Sequence, residues 1–307
     1  MLRIGSRGSQ LALWQARWVA QRLEELGEPS AIEIIRTTGD KITDVPLAKV
    51  GSKGLFTKEI EEALLEGRVD VAVHSLKDLP TELPRGLTLA AVPEREDPRD
   101  AMVGARLADL PAGARIGTSS LRRAAQLRAL RPDLVIEPLR GNLDTRLRKL
   151  DEGRYHAIVA ACAGLKRLGY ESRIAEVLEP ALMCPAVGQG ALAVETRDDA
   201  GRAHDICRRL DHPDTRAAVT AERAVLRAVG GGCQIPLGAC ARVADGVVHL
   251  MAVVAAPDGS SLIRLSDRGP AAEAEQVGWR LGSRLLAAGA RRVLEAVYGA
   301  TSRPSVS

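Results

Sequence analysis

The chain has 307 residues, of which 46% are hydrophobic, and this is typical of a globular protein with two or three domains. Aromatic residues make up only 2% of it and no dense basic run occurs, so the platforms that stack single-stranded nucleic acid are scarce. The net charge is +4, but 36 arginines stand against seven lysines. Genome composition can account for part of this excess. The rest favours an anionic ligand, because arginine binds carboxylate and phosphate groups in bidentate fashion better than lysine does.

Five cysteines, at positions 162, 184, 207, 233 and 240, include no C-x-x-C pair, and their odd number argues against a disulfide framework. The first three lie among apolar or helical residues and are expected to pack in cores. The sequence has no metal-ligand spacing, no signal-peptide pattern and no apolar run of about 18 residues. We therefore expect a reduced, cytoplasmic protein without a metal, and the composition predicts neither a nucleic-acid nor a membrane partner.

Over the first part of the chain, short apolar strands alternate with helices, a pattern that predicts βαβ units and a parallel sheet. Strands are predicted at 2–5, 32–36, 69–73 and 87–92, and helices after Ser9 and Thr57. Residues 37–54 show no periodicity, and loops of that length are usually functional or disordered.

The charged, proline-broken stretch 94–100 predicts a crossover to a second alternating set. Its strands are predicted at 115–117, 134–139 and 155–161, with helices starting near Ser119, Asn142 and Gly164. A second Pro/Gly break at 185–190 precedes a strand at 191–196 that is expected to return to the first set. The two lobes share a weak echo, since Ile4-Gly5-Ser6 and Ile116-Gly117-Thr118 both close a strand before a helix.

The pattern changes near Cys240. Helices at 200–210 and 214–229 precede two antiparallel strands, at 247–254 and 261–266, and two further helices, at 272–288 and 291–298. The predicted fold class is thus α/β, with two lobes followed by a small α+β domain. We expect domain 1 to comprise 1–94 with 190–210, domain 2 to comprise 95–189, and domain 3 to comprise 211–307.

Cations follow the predicted strands at the edge where open parallel sheets bind ligands. The four strand ends are those after the first strand, Val73, Gly117 and Leu139. Three of the four lead into a helix N-terminus, which attracts anions through its free N–H groups. Any single arginine there could simply be solvated, but the whole set makes sense for a ligand with several negative groups. Its cations are Arg7, Lys77, Arg122, Arg123, Arg140 and Arg146.

Asp78 is the one carboxylate in these basic strand ends. It could form a salt bridge with Lys77 or another base, although adjacent residues pair poorly. Alternatively, it could serve a ligand that has one cationic or proton-releasing centre. His74, at the end of the same strand, is expected to be a packed residue and not a catalyst.

The stretch Gly230-Gly231-Gly232-Cys233-Gln234-Ile235-Pro236 places a thiol between two regular segments. Glycine permits a positive φ and close backbone approach, and proline ends regular structure. The stretch can be a helix C-cap followed by a turn that happens to contain a cysteine, or a loop that presents the thiol. Two functions remain open from the residues alone: an enzyme with a covalent intermediate or cofactor on Cys233, or a non-catalytic cytoplasmic two-lobed binder of a polycarboxylate small molecule.

Several long motifs resemble those of the porphobilinogen deaminase (hydroxymethylbilane synthase) family, and the similarity runs from Leu2 to about Tyr298. The motifs are Val73-His74-Ser75-Leu76-Lys77-Asp78, Gly117-Thr118-Ser119-Ser120-Leu121-Arg122-Arg123, Leu139-Arg140-Gly141-Asn142, Val187-Gly188-Gln189-Gly190 and Gly231-Gly232-Cys233-Gln234. Leu76 and Ile235 are conservative departures from methionine and valine.

The resemblance implies two lobes like those of periplasmic binding proteins, with the active site between them. The sequence does not determine the oligomeric state, and a monomer is our expectation. It implies an enzyme that condenses four porphobilinogen molecules head to tail and releases ammonia, on a dipyrromethane cofactor joined to Cys233 by a thioether. Asp78 matches the catalytic aspartate. The positions that match carboxylate-binding residues, with Arg167 as a further candidate, are Arg7, Ser9, Lys77, Thr118, Ser119, Ser120, Arg122, Arg123, Arg140 and Arg146.

The resemblance also identifies residues 37–54 as an active-site lid, with Lys49 and Lys53 in it and Phe56 just beyond. Phe56 is the only phenylalanine of the chain. It could stack on a pyrrole ring or fill a core, and the sequence leaves both open.

Overall fold

A computed structural model of the chain describes residues 1–41, 54–199, 201–230 and 235–301. Within these residues the chain forms two five-stranded sheets and one three-stranded sheet. The predicted α/β fold, with two lobes and a small C-terminal α+β domain, is confirmed.

The first lobe is built on a mixed sheet. Its elements are β1 (Leu2–Ser6), α1 (Gln10–Glu25), β2 (Ser30–Ile34), α2 (Thr38–Lys41), α3 (Lys58–Leu65), β3 (Val71–Ser75), β4 (Leu87–Ala91) and β10 (Leu192–Arg197). The strand order is β2-β1-β3-β10-β4, with β1 parallel to β2 and β3 and with β10 antiparallel to both of its neighbours. Helix α1 packs on this sheet through Ala16, Val19 and Leu23, which recur at helical spacing.

The second lobe repeats this plan. Its elements are β5 (Asp100–Val103), β6 (Arg115–Gly117), α4 (Leu121–Leu130), β7 (Val135–Glu137), α5 (Leu143–Asp151), β8 (Ala157–Ala161), α6 (Cys162–Arg167) and β9 (Ile174–Leu178). The order is β7-β6-β8-β5-β9, and here β5 is the antiparallel strand. In each sheet the fourth position is therefore filled by the strand that arrives from the other lobe, β10 in the first sheet and β5 in the second. The weak sequence echo falls on β1 and β6, which occupy equivalent positions in the two sheets.

The C-terminal domain follows α7 (Arg202–Arg208), a helix that packs on the first lobe. Its elements are α8 (Pro213–Ala228), β11 (Leu237–Ala244), β12 (Val247–Ala255), β13 (Leu262–Pro270), α9 (Ala274–Leu285) and α10 (Arg291–Thr301). The three strands form an antiparallel sheet in the order β11-β12-β13. One face of the sheet is buried against α8 and α9 in the core of the domain.

Two segments connect the lobes, residues 92–99 between β4 and β5 and residues 179–191 between β9 and β10. They pass very close to each other at Gly190, whose φ is +87° and where an added Cβ would lie 2.3 Å from the carbonyl oxygen of Glu96. Only glycine fits there, because the position needs both a positive φ and the absence of a side chain.

A buried ion pair ties both crossovers to the C-terminal domain. Arg95 donates to the carbonyl oxygen of Gln189 over 2.8 Å and to Glu222 on α8 over 2.6 Å. The Glu222 carboxylate also accepts the backbone N–H groups of Gly188 and Ala241, each over 2.7 Å. One fully buried carboxylate thus holds the crossovers against the third domain, and charged hydrogen bonds of this kind are stronger than neutral ones.

Three strands were not predicted from the sequence: β5, β9 and β11. β5 has only four residues and begins within the charged stretch that predicted a crossover, and β11 contains glycine and alanine where strands usually carry β-branched residues. The predicted loop at 37–54 begins with α2, and its residues 42–53 lie outside the described part of the chain. The exact domain boundaries stay a prediction.

Candidate active site

The site is assembled at the strand ends that face each other across the lobes. β1, β6 and β7 lead through short turns into α1, α4 and α5, as predicted. β3 instead continues into a single 3₁₀ turn, Leu76–Asp78. Helices α1 and α6, which follow β1 of the first lobe and β8 of the second, meet where Arg167 lies over Trp14, so the two sets of strand ends border one groove.

The three side chains of the 3₁₀ turn differ in how deeply they are buried. Leu76 is buried in the core, Lys77 is half-buried and Asp78 is exposed. Burial of the Lys77 ammonium, aided by Arg123 and Arg122, lowers its pKa to about 8 against the opposing effect of Asp78 and Asp100. Among the described residues no ion pair or hydrogen bond engages the Asp78 carboxylate, so the predicted alternative of a Lys77–Asp78 salt bridge does not occur.

On the second lobe, Arg140 and Arg146 bring two further cations to the groove. Burial, followed by the charge of Arg123, lowers the pKa of Arg146 to about 10, so it remains a cation at neutral pH. Its Nε donates to the carbonyl oxygen of Gly141 over 2.8 Å. In the described part of the chain, neither arginine has a carboxylate partner, and the same holds for Lys77. These three cations are free to bind an anionic ligand.

Arg122 and Arg123 are in a different position, because both are buried against Asp100. Arg122 Nη1 donates to Asp100 Oδ2 over 2.8 Å and to the carbonyl oxygen of Cys184 over 2.6 Å. Arg123 Nη2 donates to Asp100 Oδ1 over 2.7 Å, and its Nη1 donates to the carbonyl oxygen of Val159 over 3.0 Å. The two guanidinium groups outweigh the burial of Asp100 and hold its pKa well below the usual range.

Asp100 and Gln189 complete this cluster, although no role was predicted for either of them. Gln189, on the second crossover, donates to Asp100 Oδ1 over 2.8 Å and to the carbonyl oxygen of Pro98 over 2.8 Å. Arg122 Nε is buried without a hydrogen-bond acceptor. The prediction that Arg122 and Arg123 bind ligand carboxylates stays untested, and the structure shows that Asp100 already engages both.

The predicted hydroxyl groups lie at the turns that start helices. Ser9 accepts from the N–H of Ala12 and caps α1, and Ser120 accepts from the N–H of Arg123 and caps α4. Thr118 accepts from the N–H of Ser120 over 3.2 Å. Ser119 is exposed, and its hydroxyl group exchanges hydrogen bonds with the backbone of Leu139. These groups shape the turns; Ser119 is exposed, Ser9 and Ser120 are half-buried, and Thr118 is buried.

Two predicted arginines contact aromatic rings. The guanidinium carbon of Arg7 lies 4.3 Å from the centroid of the Phe56 ring. Phe56 is half-buried, with Arg7 over its ring. It belongs to none of the core clusters formed by the described residues. Arg167 lies over Trp14 at 5.6 Å and donates to the carbonyl oxygen of Gly190 over 2.7 Å. Arg167 therefore links the lobes at the crossover.

Several predictions fall on residues outside the described part of the chain: Cys233 and the lid residues Lys49 and Lys53. The first glycine of the cysteine loop is described. Gly230 follows the end of α8 with a φ of +70°, the left-handed conformation that ends many helices. His74 is buried, as predicted, with Nε2 3.0 Å from Glu195 Oε2.

The described residues contain no group of three or more His, Cys, Asp or Glu side chains that could hold a metal ion. None of their helices is long and apolar enough to cross a membrane. What the groove does hold is a lysine and two arginines without carboxylate partners in the described residues, and one exposed carboxylate. Fold and site together are those of a two-lobed α/β protein with a basic groove whose charge suits a polyanionic small molecule.

The comparisons with known proteins give the family. Residues 2–205 match the model of the "Porphobilinogen deaminase, dipyromethane cofactor binding domain", and residues 216–287 match that of the porphobilinogen deaminase C-terminal domain. The chain is 53% identical to a porphobilinogen deaminase of Syntrophobacter fumaroxidans over 98% of its own length and 99% of the relative's. It is 55% identical to that of Syntrophotalea carbinolica over 96% of both chains. The chain belongs to the porphobilinogen deaminase family.

Among solved structures, a periplasmic substrate-binding protein of an ABC transporter from Coxiella burnetii matches at a TM-score of 0.42 and 14% identity. The match covers 68% of this chain and 91% of that one. The non-catalytic binder, which the residues alone left open, finds no support in the family matches.

The Asp100 cluster yields a prediction about stability. Asp100→Asn removes the charge that compensates two buried guanidinium groups, and breaking such a buried pair typically costs about 3–5 kcal/mol. We expect a clear fall in the urea midpoint of unfolding, followed by circular dichroism. The control is Asp133→Asn, whose carboxylate pairs with Arg131 at the surface and whose loss should move the midpoint far less. Equal effects of the two substitutions would contradict the structural part assigned to Asp100.

Proposed function

We propose that the chain catalyses the porphobilinogen deaminase reaction, in which four porphobilinogen molecules are condensed head to tail into the linear tetrapyrrole hydroxymethylbilane and ammonia is released at each step. The observation that carries the proposal is the groove around the Asp78 carboxylate, with three cations that have no carboxylate partner in the part of the chain that the structure describes, in a chain of this family. Each substrate carries an acetate and a propionate, so its charge complements the groove. We further propose a cytoplasmic monomer.

The residues present fit a dipyrromethane cofactor, because a pyrrole polycarboxylate needs several cationic partners and Lys77, Arg140 and Arg146 have no carboxylate partner among the described residues. When bound through Cys233, this group would supply the pyrrole to which the first substrate is joined. Lys77, Arg140 and Arg146 would hold carboxylates directly. Arg7, Ser9, Thr118, Ser119, Ser120 and Arg167 would complete the set, with Arg122 and Arg123 acting from the edge of the Asp100 cluster.

Asp78 would act at the reacting pyrrole. Loss of ammonia leaves positive charge on the pyrrole system, and formation of the new carbon–carbon bond is followed by loss of a proton. A groove lined with cations opposes both steps. The exposed Asp78 carboxylate offsets this by stabilising positive charge at a pyrrole nitrogen and by accepting a proton, and such fixed charges act most strongly where water is excluded.

The test of this role is Asp78→Asn, which keeps the size of the side chain and removes its charge. We expect a loss of about 100-fold or more in single-turnover ammonia release by cofactor-loaded enzyme, with folding intact. Asp109→Asn, at an exposed site remote from the groove, is the control and should leave the rate unchanged. Turnover within a few-fold of the wild type would show that Asp78 has no part in the chemistry.

The attachment site is tested by intact mass. The purified chain should exceed its sequence mass by about two pyrrole units, because the cofactor is joined covalently. The excess should be absent in Cys233→Ser and present in Cys240→Ser. Burial raises the pKa of the Cys240 thiol to about 12, so that thiol stays protonated and makes a matched unreactive control. An active chain without added mass, or a label on another cysteine, would contradict the proposal.

The low pKa of Lys77 predicts a pH dependence. Lys77 is charged below a pH of about 8 and neutral above it, so carboxylate binding weakens as the pH rises through that value. kcat/KM for porphobilinogen should therefore fall on the alkaline side, since this ratio reports groups of the free enzyme. Lys77→Arg should flatten this limb, because arginine stays charged. Any titration of the substrate affects the wild type and Lys77→Arg equally. If both proteins show the same alkaline fall in kcat/KM, Lys77 is not the cause of that fall.

A further inference from the structure

The sheet of the C-terminal domain has a second face that its own helices leave open. Along β12, Val248, Leu250 and Ala252 are buried against α8 and α9. Side chains alternate across a strand, so His249 and Met251 lie on the opposite face. The second lobe covers one end of this face, where Ala125 and Cys184 pack with residues of β12. The other end is not covered by the described residues.

A cavity of about 540 Å³ lies where this cover stops, a volume within the range of small-molecule sites. It spans all three strands of the sheet and reaches the second lobe at Pro180. The residues that define its chemistry are Pro180, Arg242, His249, Met251, Ser266 and Arg268.

Two exposed arginines flank a histidine across the three strands that line this cavity. The register pairs Arg242 on β11 with His249, and His249 with Arg268 on β13. Neighbouring strands are about 4.8 Å apart, so the two arginines start about 10 Å apart on the same face of the sheet. That spacing suits a ligand that carries two negative groups.

The acidic groups near this row are already engaged. Asp267 lines the cavity, but its carboxylate accepts from Arg280 over 2.7 Å and also pairs with Arg284. Glu179, next to Pro180, pairs with Arg99. In the described part of the chain, Arg242 and Arg268 have no ion-pair partner. Cys240, also in the lining, is a neutral thiol, because burial raises its pKa to about 12.

The rest of the lining is apolar, with Met251 and Pro180 as its main side chains and with the half-buried ring of His249 between them and the arginines. An inorganic anion would satisfy the arginines and leave these groups exposed. We propose that the cavity is a second ligand site, which binds a flat, one-ring organic dicarboxylate with its ring over Met251 and Pro180 and its carboxylates on Arg242 and Arg268.

A ligand here would touch two domains at once. Pro180 belongs to the segment that follows β9, and β11 begins two residues after the stretch 231–234 that contains Cys233. Occupancy would therefore restrain the C-terminal domain against the second lobe. The site is separate from the groove, and its existence does not depend on the proposed activity.

The experiment uses holoenzyme labelled with ¹³C-histidine and follows the His249 resonance, assigned by its loss in His249→Gln. The probes are benzene-1,3-dicarboxylate and, as an anion without a ring, inorganic phosphate. We expect the dicarboxylate to shift the His249 resonance saturably and to raise the midpoint of its titration, because bound carboxylates stabilise the imidazolium form. Phosphate should bind about tenfold more weakly or worse, since it cannot cover the apolar lining.

The matched variants are the double substitution Arg242→Gln with Arg268→Gln and the control Arg292→Gln, an exposed arginine of α10 in the same domain. Losing two charged hydrogen-bond donors should weaken dicarboxylate binding by about tenfold or more, and the control should bind as the wild type does. Three results would each overturn the proposal: an unchanged His249 resonance, equal binding of phosphate, or unchanged binding by the double variant.

Discussion

The architecture of the groove depends on one buried carboxylate, that of Asp100. A charge in a protein interior is tolerated only when it is compensated and hydrogen-bonded, and here Arg122, Arg123 and Gln189 provide both. These partners come from the start of α4 and from the second crossover. Asp100 itself is the first residue of β5, directly after the first crossover. The geometry of the second lobe, of both crossovers and of the strand ends that face the ligand is therefore set around a single pair of oxygens.

This arrangement divides the cations of the groove into two sets: those that pair with Asp100, and those that have no carboxylate partner among the described residues. Arg122 and Arg123 are paired with Asp100 within the protein, yet their charges still help to lower the pKa of Lys77, and the charge of Arg123 helps to lower that of Arg146. Lys77, Arg140 and Arg146 have no carboxylate partner among the described residues, and burial, aided by repulsion from neighbouring arginines, lowers the pKa values of Lys77 and Arg146. A polycarboxylate bound here, as proposed, would supply the missing negative charge. The repulsion among these cations in the free protein would then favour the ligand.

The sequence predicted the fold class, the strand ends and the family well, because alternating apolar segments and long motifs are local properties. It could not divide the arginines into these two sets, since that depends on Asp100, which is 22 positions away from Arg122 and was seen only as part of a charged crossover. It missed β5 and β11 for a related reason. Short or alanine-rich strands are fixed by their neighbours in the sheet and carry little periodicity of their own.

The position of β10 has a consequence for how the chain is made. β10 lies between β3 and β4 in the first sheet, yet it is translated about a hundred residues after β4, when the whole second lobe has already emerged. Until β10 has been made, the edges of β3 and β4 that it will pair with have no partner strand, and unpaired strand edges of this kind aggregate. Closing that gap joins residues distant in sequence, which is slow. Of the two lobes, the first to be synthesised is therefore the last to be completed, and its unpaired strand edges need protection until β10 has emerged.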